Sequence, residues 1–78
     1  MSLQRAQILI DQERYEEATA ELLSYLNEST DDPLALTLLA RCRLELEEFD
    51  EAEAGVGQAL AADPTFHYAH YVQAMILR

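Results

Sequence analysis

Apolar residues recur at helical spacing over five segments separated by short polar breaks. Leu3, Ala6, Leu9 and Ile10 share one stripe, with Gln4, Gln7 and Asp11 off it, and predict a first helix over residues 3–13. Glu13-Arg14 interrupts the pattern. Tyr15 then opens a second helix whose inner face carries Ala18, Leu22, Tyr25 and Leu26, with Glu16 and Glu17 in its first turn, where the helix dipole favours negative charge. A polar run from Asn27 to Asp32 follows. It offers Asp31 as N-cap and Pro33 in the first turn of a third helix. That helix turns Leu36, Leu39, Ala40, Cys42 and Leu44 inward. After a break at Glu47-Glu48-Phe49-Asp50, a fourth opens on Asp50 and Glu51. It is expected to bury Phe49, Ala52, Val56, Ala59 and Leu60 before Asp63-Pro64 stops it. Thr65 stands to the last segment, Phe66 to Leu77, as Asp31 stands to the third.

The segments repeat one another. Ala6 and Ala40, Tyr15 and Phe49, Ala18 and Ala52, and Leu26 and Leu60 are each 34 residues apart, and Ala35 and Ala40 return as Ala69 and Ala74. A fixed period of this length marks a stack of repeated hairpins rather than a single irregular core. Gly55 and Gly57 fall inside the fourth helix, where each costs about 1 kcal/mol relative to alanine. Two readings follow: tolerated drift, or close approach of another helix, from this chain or a second one.

Composition narrows the picture. With 78 residues there is one domain, half of it hydrophobic, and two Gly with two Pro are too few for many strands. The chain is all-α on this evidence. Fifteen acidic against five basic residues leave a net charge of -10, which argues against nucleic acid and against an anionic membrane surface. It favours basic partners instead. Cys42 is the only cysteine, so no internal disulfide forms. No segment suits a bilayer span or a signal peptide, and the cytoplasm is the expected compartment. Met1-Ser2-Leu3 reads as a start followed by a cloning remnant, so the chain is expected to be a fragment of a longer repeat protein.

These residues resemble the tetratricopeptide repeat family. The period matches, and so do the small residue in the middle of the first helix of each pair (Ala6, Ala40, Ala74) and the aromatic at the turn (Tyr15, Phe49). Ala18 and Ala52 match its alanine one turn into the second helix, Ala59 the later small residue, and Pro64 the proline between repeats. The chain departs from the pattern at Ser2, Leu36 and His70, which occupy the tryptophan-like place, at Arg43, at Tyr25 and at Thr30. The resemblance implies one domain over residues 1–78, a right-handed superhelical stack of antiparallel helix pairs with five helices. Repeat one would span about 1–32, repeat two about 33–66, and an extra helix about 66–78.

It also implies a function: a non-catalytic adaptor or scaffold, without cofactor, whose concave groove binds a peptide or helix of another protein. The groove-facing places carried over from the family are Leu3, Gln7 and Ile10, then Leu34, Thr37, Leu38, Arg41 and Glu45, then Tyr68, Tyr71, Val72 and Met75. The partner-groove candidates are Gln7, Thr37, Leu38, Arg41, Tyr68, Tyr71 and Met75. The Lys and Asn set with which some members grip a terminal carboxylate is missing, so a lining of this kind suits an apolar segment. The competing reading packs several of these side chains within the stack. An alternative function is structural: Phe66, Val72, Met75 and Ile76 await a covering helix, and a homo-oligomer through the C-terminal helix would supply one.

Other chemistries are weakly indicated. His67 and His70 lie one turn apart with Asp63 nearby, but a third ligand at convincing spacing is missing for zinc. Cys42 has no obvious base for nucleophilic work. The carboxylates from Glu45 to Glu53 lack the spacing of a calcium loop and read as a solvated face, or as a dock for a basic partner. No phosphate loop, serine elbow or paired-histidine motif occurs.

Overall fold

A computed structural model describes residues 3–77, so Ser2 and Arg78 lie outside the described residues. Five helices follow in order: α1 (Leu3–Asp11), α2 (Tyr15–Leu26), α3 (Pro33–Glu45), α4 (Phe49–Ala62) and α5 (His67–Ile76). No strand occurs among the described residues. Each helix packs on its neighbour in sequence, and α3 also meets α1 and α5. Among the described residues the backbone of α1 approaches neither α4 nor α5. A closed bundle would bring the first helix against the last; this is an open, layered stack of helix pairs.

The turns within the pairs are copies of one another. At the end of α1, the Glu13 amide donates to the Ile10 carbonyl (2.9 Å) and the Arg14 amide to the Leu9 carbonyl (2.8 Å). At the end of α3, Glu47 and Glu48 donate to Leu44 (3.0 Å) and Arg43 (2.8 Å) in the same way. These paired bonds satisfy carbonyls that a helix end leaves free, and they need a left-handed residue at the bend. Glu13 (φ 60°) and Glu47 (φ 63°) supply it. A side chain there costs about 1–2 kcal/mol, which glycine avoids. Glu47→Gly is therefore expected to stabilise the fold by about 1 kcal/mol and raise the thermal midpoint by several degrees in calorimetry. An unchanged or lower midpoint would contradict the strain.

The cap of α3 is Asp32, not Asp31. Its Oδ1 accepts from the Leu34 (3.0 Å) and Ala35 (3.3 Å) amides, and Pro33 fills the next position. Asp32 directly precedes the helix, and Tyr25 reaches across the loop to donate its hydroxyl to Asp32 Oδ2 at 2.7 Å. That hydrogen bond, ahead of burial, holds the Tyr25 hydroxyl above its ordinary pKa. Thr65 is not a cap either: α5 begins after Phe66 without a side-chain cap, and Thr65 instead donates amide and hydroxyl to Asp63 Oδ1.

Small residues line the helix crossings. Ala6, Ala18, Ala35, Ala40, Ala52, Ala59 and Ala69 are all buried, with Leu22, Val56 and Val72 among the largest fully enclosed side chains. All of these but Ala52 belong to two clusters, both contacted by Leu60 and Tyr68. Gly55 and Gly57 divide the two readings offered for them. A Cβ on Gly55 would lie 3.2 Å from the Ala40 Cβ and 3.6 Å from the Leu36 carbonyl, so α3 approaches α4 there; Gly57 faces open space.

Phe49 departs from expectation. It is 54 % exposed, whereas its counterpart Tyr15 is half-buried. Tyr15 packs on the cluster that holds Leu38 and Cys42 of α3, whereas among the described residues Phe49 is not one of those packed on either cluster. Val72 needs no further helix, because it packs with Ala40 and Val56 and is fully buried. Leu39, Leu44 and Leu60 are half-buried rather than enclosed.

Candidate functional site

The first helices of successive pairs, α1, α3 and α5, border a concavity of about 470 Å³. α1 contributes Gln7, Ile10 and Asp11; Glu13 comes from the left-handed bend and Tyr15 from the start of α2. α3 gives Leu34, Leu38 and Arg41, and α5 gives Tyr68. The helical period explains this set: Leu34, Leu38 and Arg41 stand on one face of α3, four and three residues apart.

Arg41 sits at the centre of the polar contacts. Its Nε lies 3.5 Å from Glu45 Oε2, and its Nη1 donates to the Tyr68 hydroxyl at 3.4 Å. Burial opposes the charge, but Tyr68 and Glu45 together outweigh it and hold the guanidinium pKa above its ordinary value. Burial, then Glu45 and Glu13, push the Tyr15 hydroxyl upward as well. The ring of Tyr68 stacks beside Tyr71, with centroids 6.4 Å apart and planes inclined by 18°.

Four of the candidate residues, Gln7, Leu38, Arg41 and Tyr68, thus line one groove. The other three lie elsewhere. Thr37 turns into the stack, fully buried, and its hydroxyl donates to the Pro33 carbonyl at 2.7 Å, which removes it from any groove. Tyr71 stands beside the lining, 60 % exposed, and Met75 is half-buried outside it. Val72 is enclosed, and Glu45 acts through Arg41. Asp11, Glu13 and Tyr15 were not among the candidates. Their signal was the bend itself, which the 34-residue offset places beside the last turn of α3.

A second depression, of about 790 Å³, lies where α2, α3 and α4 meet, between Leu23, Leu26, Leu36, Leu39 and the Ala61-Ala62 end of α4. Its lining holds one charged residue, Asp31, and no aromatic. Tyrosine and arginine, the side chains that anchor partners most often, are in the first groove.

His70 Nε2 is 2.8 Å from the Pro64 carbonyl, and among the described residues no three of His, Cys, Asp and Glu gather as a metal site. In the acidic turn, Glu48 pairs with Arg43 at 3.0 Å, while Glu47, Asp50, Glu51 and Glu53 are exposed to solvent. No helix among the described residues is long and apolar enough to cross a membrane.

Cys42 is fully buried, and burial raises its thiol to a pKa of about 11 against a partial offset from Thr19. The native protein is expected to resist thiol reagents near neutral pH and to be labelled only as fast as it opens. Fast labelling would refute that packing. Because the folded thiol holds its proton more tightly than the unfolded one, this contribution is intact below pH 9 and is lost as pH rises towards 11. A Cys42→Val chain should lose stability less steeply over that window in urea titrations.

Comparison with protein families gives a match to the family described as tetratricopeptide repeat over residues 9–76. Comparison with curated proteins and with solved structures gave no match.

Proposed function

We propose, on the premise that the chain belongs to the tetratricopeptide repeat family, that it is a non-catalytic interaction module whose groove takes a segment of another protein. The observation that carries this reading is the concavity between α1, α3 and α5. It is open, it is walled by Ile10, Leu34 and Leu38, and Tyr15, Tyr68 and Arg41 stand in it as ready anchors. Such a surface needs no reactive group, because a preformed groove lowers the ordering cost of a bound segment.

Selection of random displayed peptides on the immobilised protein tests it. Bound peptides are expected to weaken by about tenfold or more on Arg41→Ala combined with Tyr68→Ala, as anchor truncation commonly costs above about 1 kcal/mol per residue. Circular dichroism should show the variant folded. Peptides that bind wild type and variant alike would place recognition elsewhere and end this reading.

A second reading, self-assembly through α5, is favoured by one observation. Ala6 and Ala40 are buried by the second helix of their pairs, whereas Ala74, their counterpart, is exposed together with Tyr71 and Leu77. Exposed apolar surface of this kind on α5 favours association. Sedimentation that finds monomer alone at high concentration removes this second reading.

A further inference from the structure

We infer that the groove is built for a basic segment: a stretch of another protein in which a lysine or arginine adjoins apolar side chains. The cation would sit at the Asp11–Glu13 end and the apolar residues on Leu34 and Leu38. This inference rests on the interaction-module reading and specifies the partner's chemistry.

The charges of the groove are unequal once their pairings are counted. Arg41 is the one cation in the lining, and it is taken up by Glu45 and the Tyr68 hydroxyl. The four ion pairs among the described residues engage Glu17, Glu21, Glu45 and Glu48; Asp11 and Glu13 belong to none of them, and both are exposed. Arg14, the nearest other cation in sequence, is turned to Glu17 at 2.7 Å and is not part of the lining. The groove therefore presents two uncompensated carboxylates beside an apolar floor.

The backbone adds to them. Asp11 is the last residue of α1, and α1 has no basic residue in its last turn. The carbonyl end of a helix attracts cations, so this end lacks the partner that its dipole favours. Tyr15 and Tyr68 line the same space, and aromatic rings attract cations. An acidic or carboxylate-bearing segment would meet Asp11 and Glu13 unscreened. A second copy of this chain, at net charge -10, is for the same reason a poor occupant of the groove. The overall charge instead steers basic partners towards it.

The test extends the displayed-peptide selection. Groove-dependent peptides are expected to carry Lys or Arg within a few residues of Leu, Ile or Phe. Replacing that cation with glutamine should weaken a synthesised peptide about fivefold, and Asp11→Asn with Glu13→Gln in the protein should do the same. The two changes together should cost little more than either alone, and rising salt should weaken only the unmodified pair. Groove-dependent peptides that are neutral or acidic, or that ignore the Asp11 and Glu13 changes, would overturn the basic-segment inference and leave the module reading standing. Peptides indifferent to Arg41→Ala with Tyr68→Ala, or no enrichment at all, would overturn both.

Discussion

Gly55→Leu is expected to destabilise the protein by about 2 kcal/mol, while Gly57→Ala two residues away stabilises it by nearly 1 kcal/mol. The two glycines share a helix and a helix-propensity cost, so the difference comes from what each faces. At Gly55 even a methyl group would stand 3.2 Å from the Ala40 Cβ and 3.6 Å from the Leu36 carbonyl, and the branched end of leucine would have to enter the crossing of α3 and α4. Neither Ala40 nor backbone can rotate away, so the helices must part. Ala40 belongs to the cluster with Val56 and Val72, and separation there loosens α5 as well. At Gly57 a Cβ meets nothing within 4 Å, so alanine removes chain entropy from the unfolded state without a steric cost. In thermal melts the two variants should move in opposite directions, by roughly 10 °C down and a few degrees up. A Gly55→Leu chain that melts with the wild type would show that the crossing is looser than these distances require.

Leu22→Ala is expected to cost about 3 kcal/mol, the largest single-residue loss in the molecule. Leu22 is fully buried and is the largest of the enclosed side chains. It lies in the cluster that joins Ala6 and Leu9 of α1 to Ala35, Leu36 and Leu38 of α3, so it links one pair to the next. Helices of this length are marginal alone, and their stability comes from such contacts. A chain of this size has roughly 4–12 kcal/mol in total, so the loss leaves little margin at physiological temperature. Urea unfolding should show a large fall in midpoint for Leu22→Ala and a small one for Leu22→Met, which conserves volume. Equal effects from both substitutions would mean that shape, not the lost methyl groups, sets the cost.

The same contrast separates what was readable in the residues from what was not. Ala6, Ala18, Ala40 and Ala52 could be assigned to crossings because a close helix crossing demands a small residue, and a repeated crossing demands it at a fixed offset; each is buried. The groove was legible in part. Gln7, Leu38, Arg41 and Tyr68 follow from helical spacing, but spacing does not reveal that the Thr37 hydroxyl bonds backwards to Pro33 or that Val72 is already covered. Arg41 is the one cation among the groove-facing places. Its neutralisation by Glu45 is local and could be suspected from the four-residue spacing; its contact with Tyr68, 27 residues away, could not. Asp11 closes α1 and Glu13 stands in the bend after it, outside the apolar periodicity.

By itself the sequence determined the helical class, the five segments, the hairpin turns and the order of packing, since these depend on periodicity and on residues adjacent in the chain. Only the tertiary structure decided which cap operates, why Gly55 is required and Gly57 is not, how far Phe49 is covered, and what charge the groove presents. Each of those depends on distances between atoms far apart along the chain. A repeat leaves such distances open, because equivalent positions such as Glu21 and Gly55 carry different side chains and meet different neighbours.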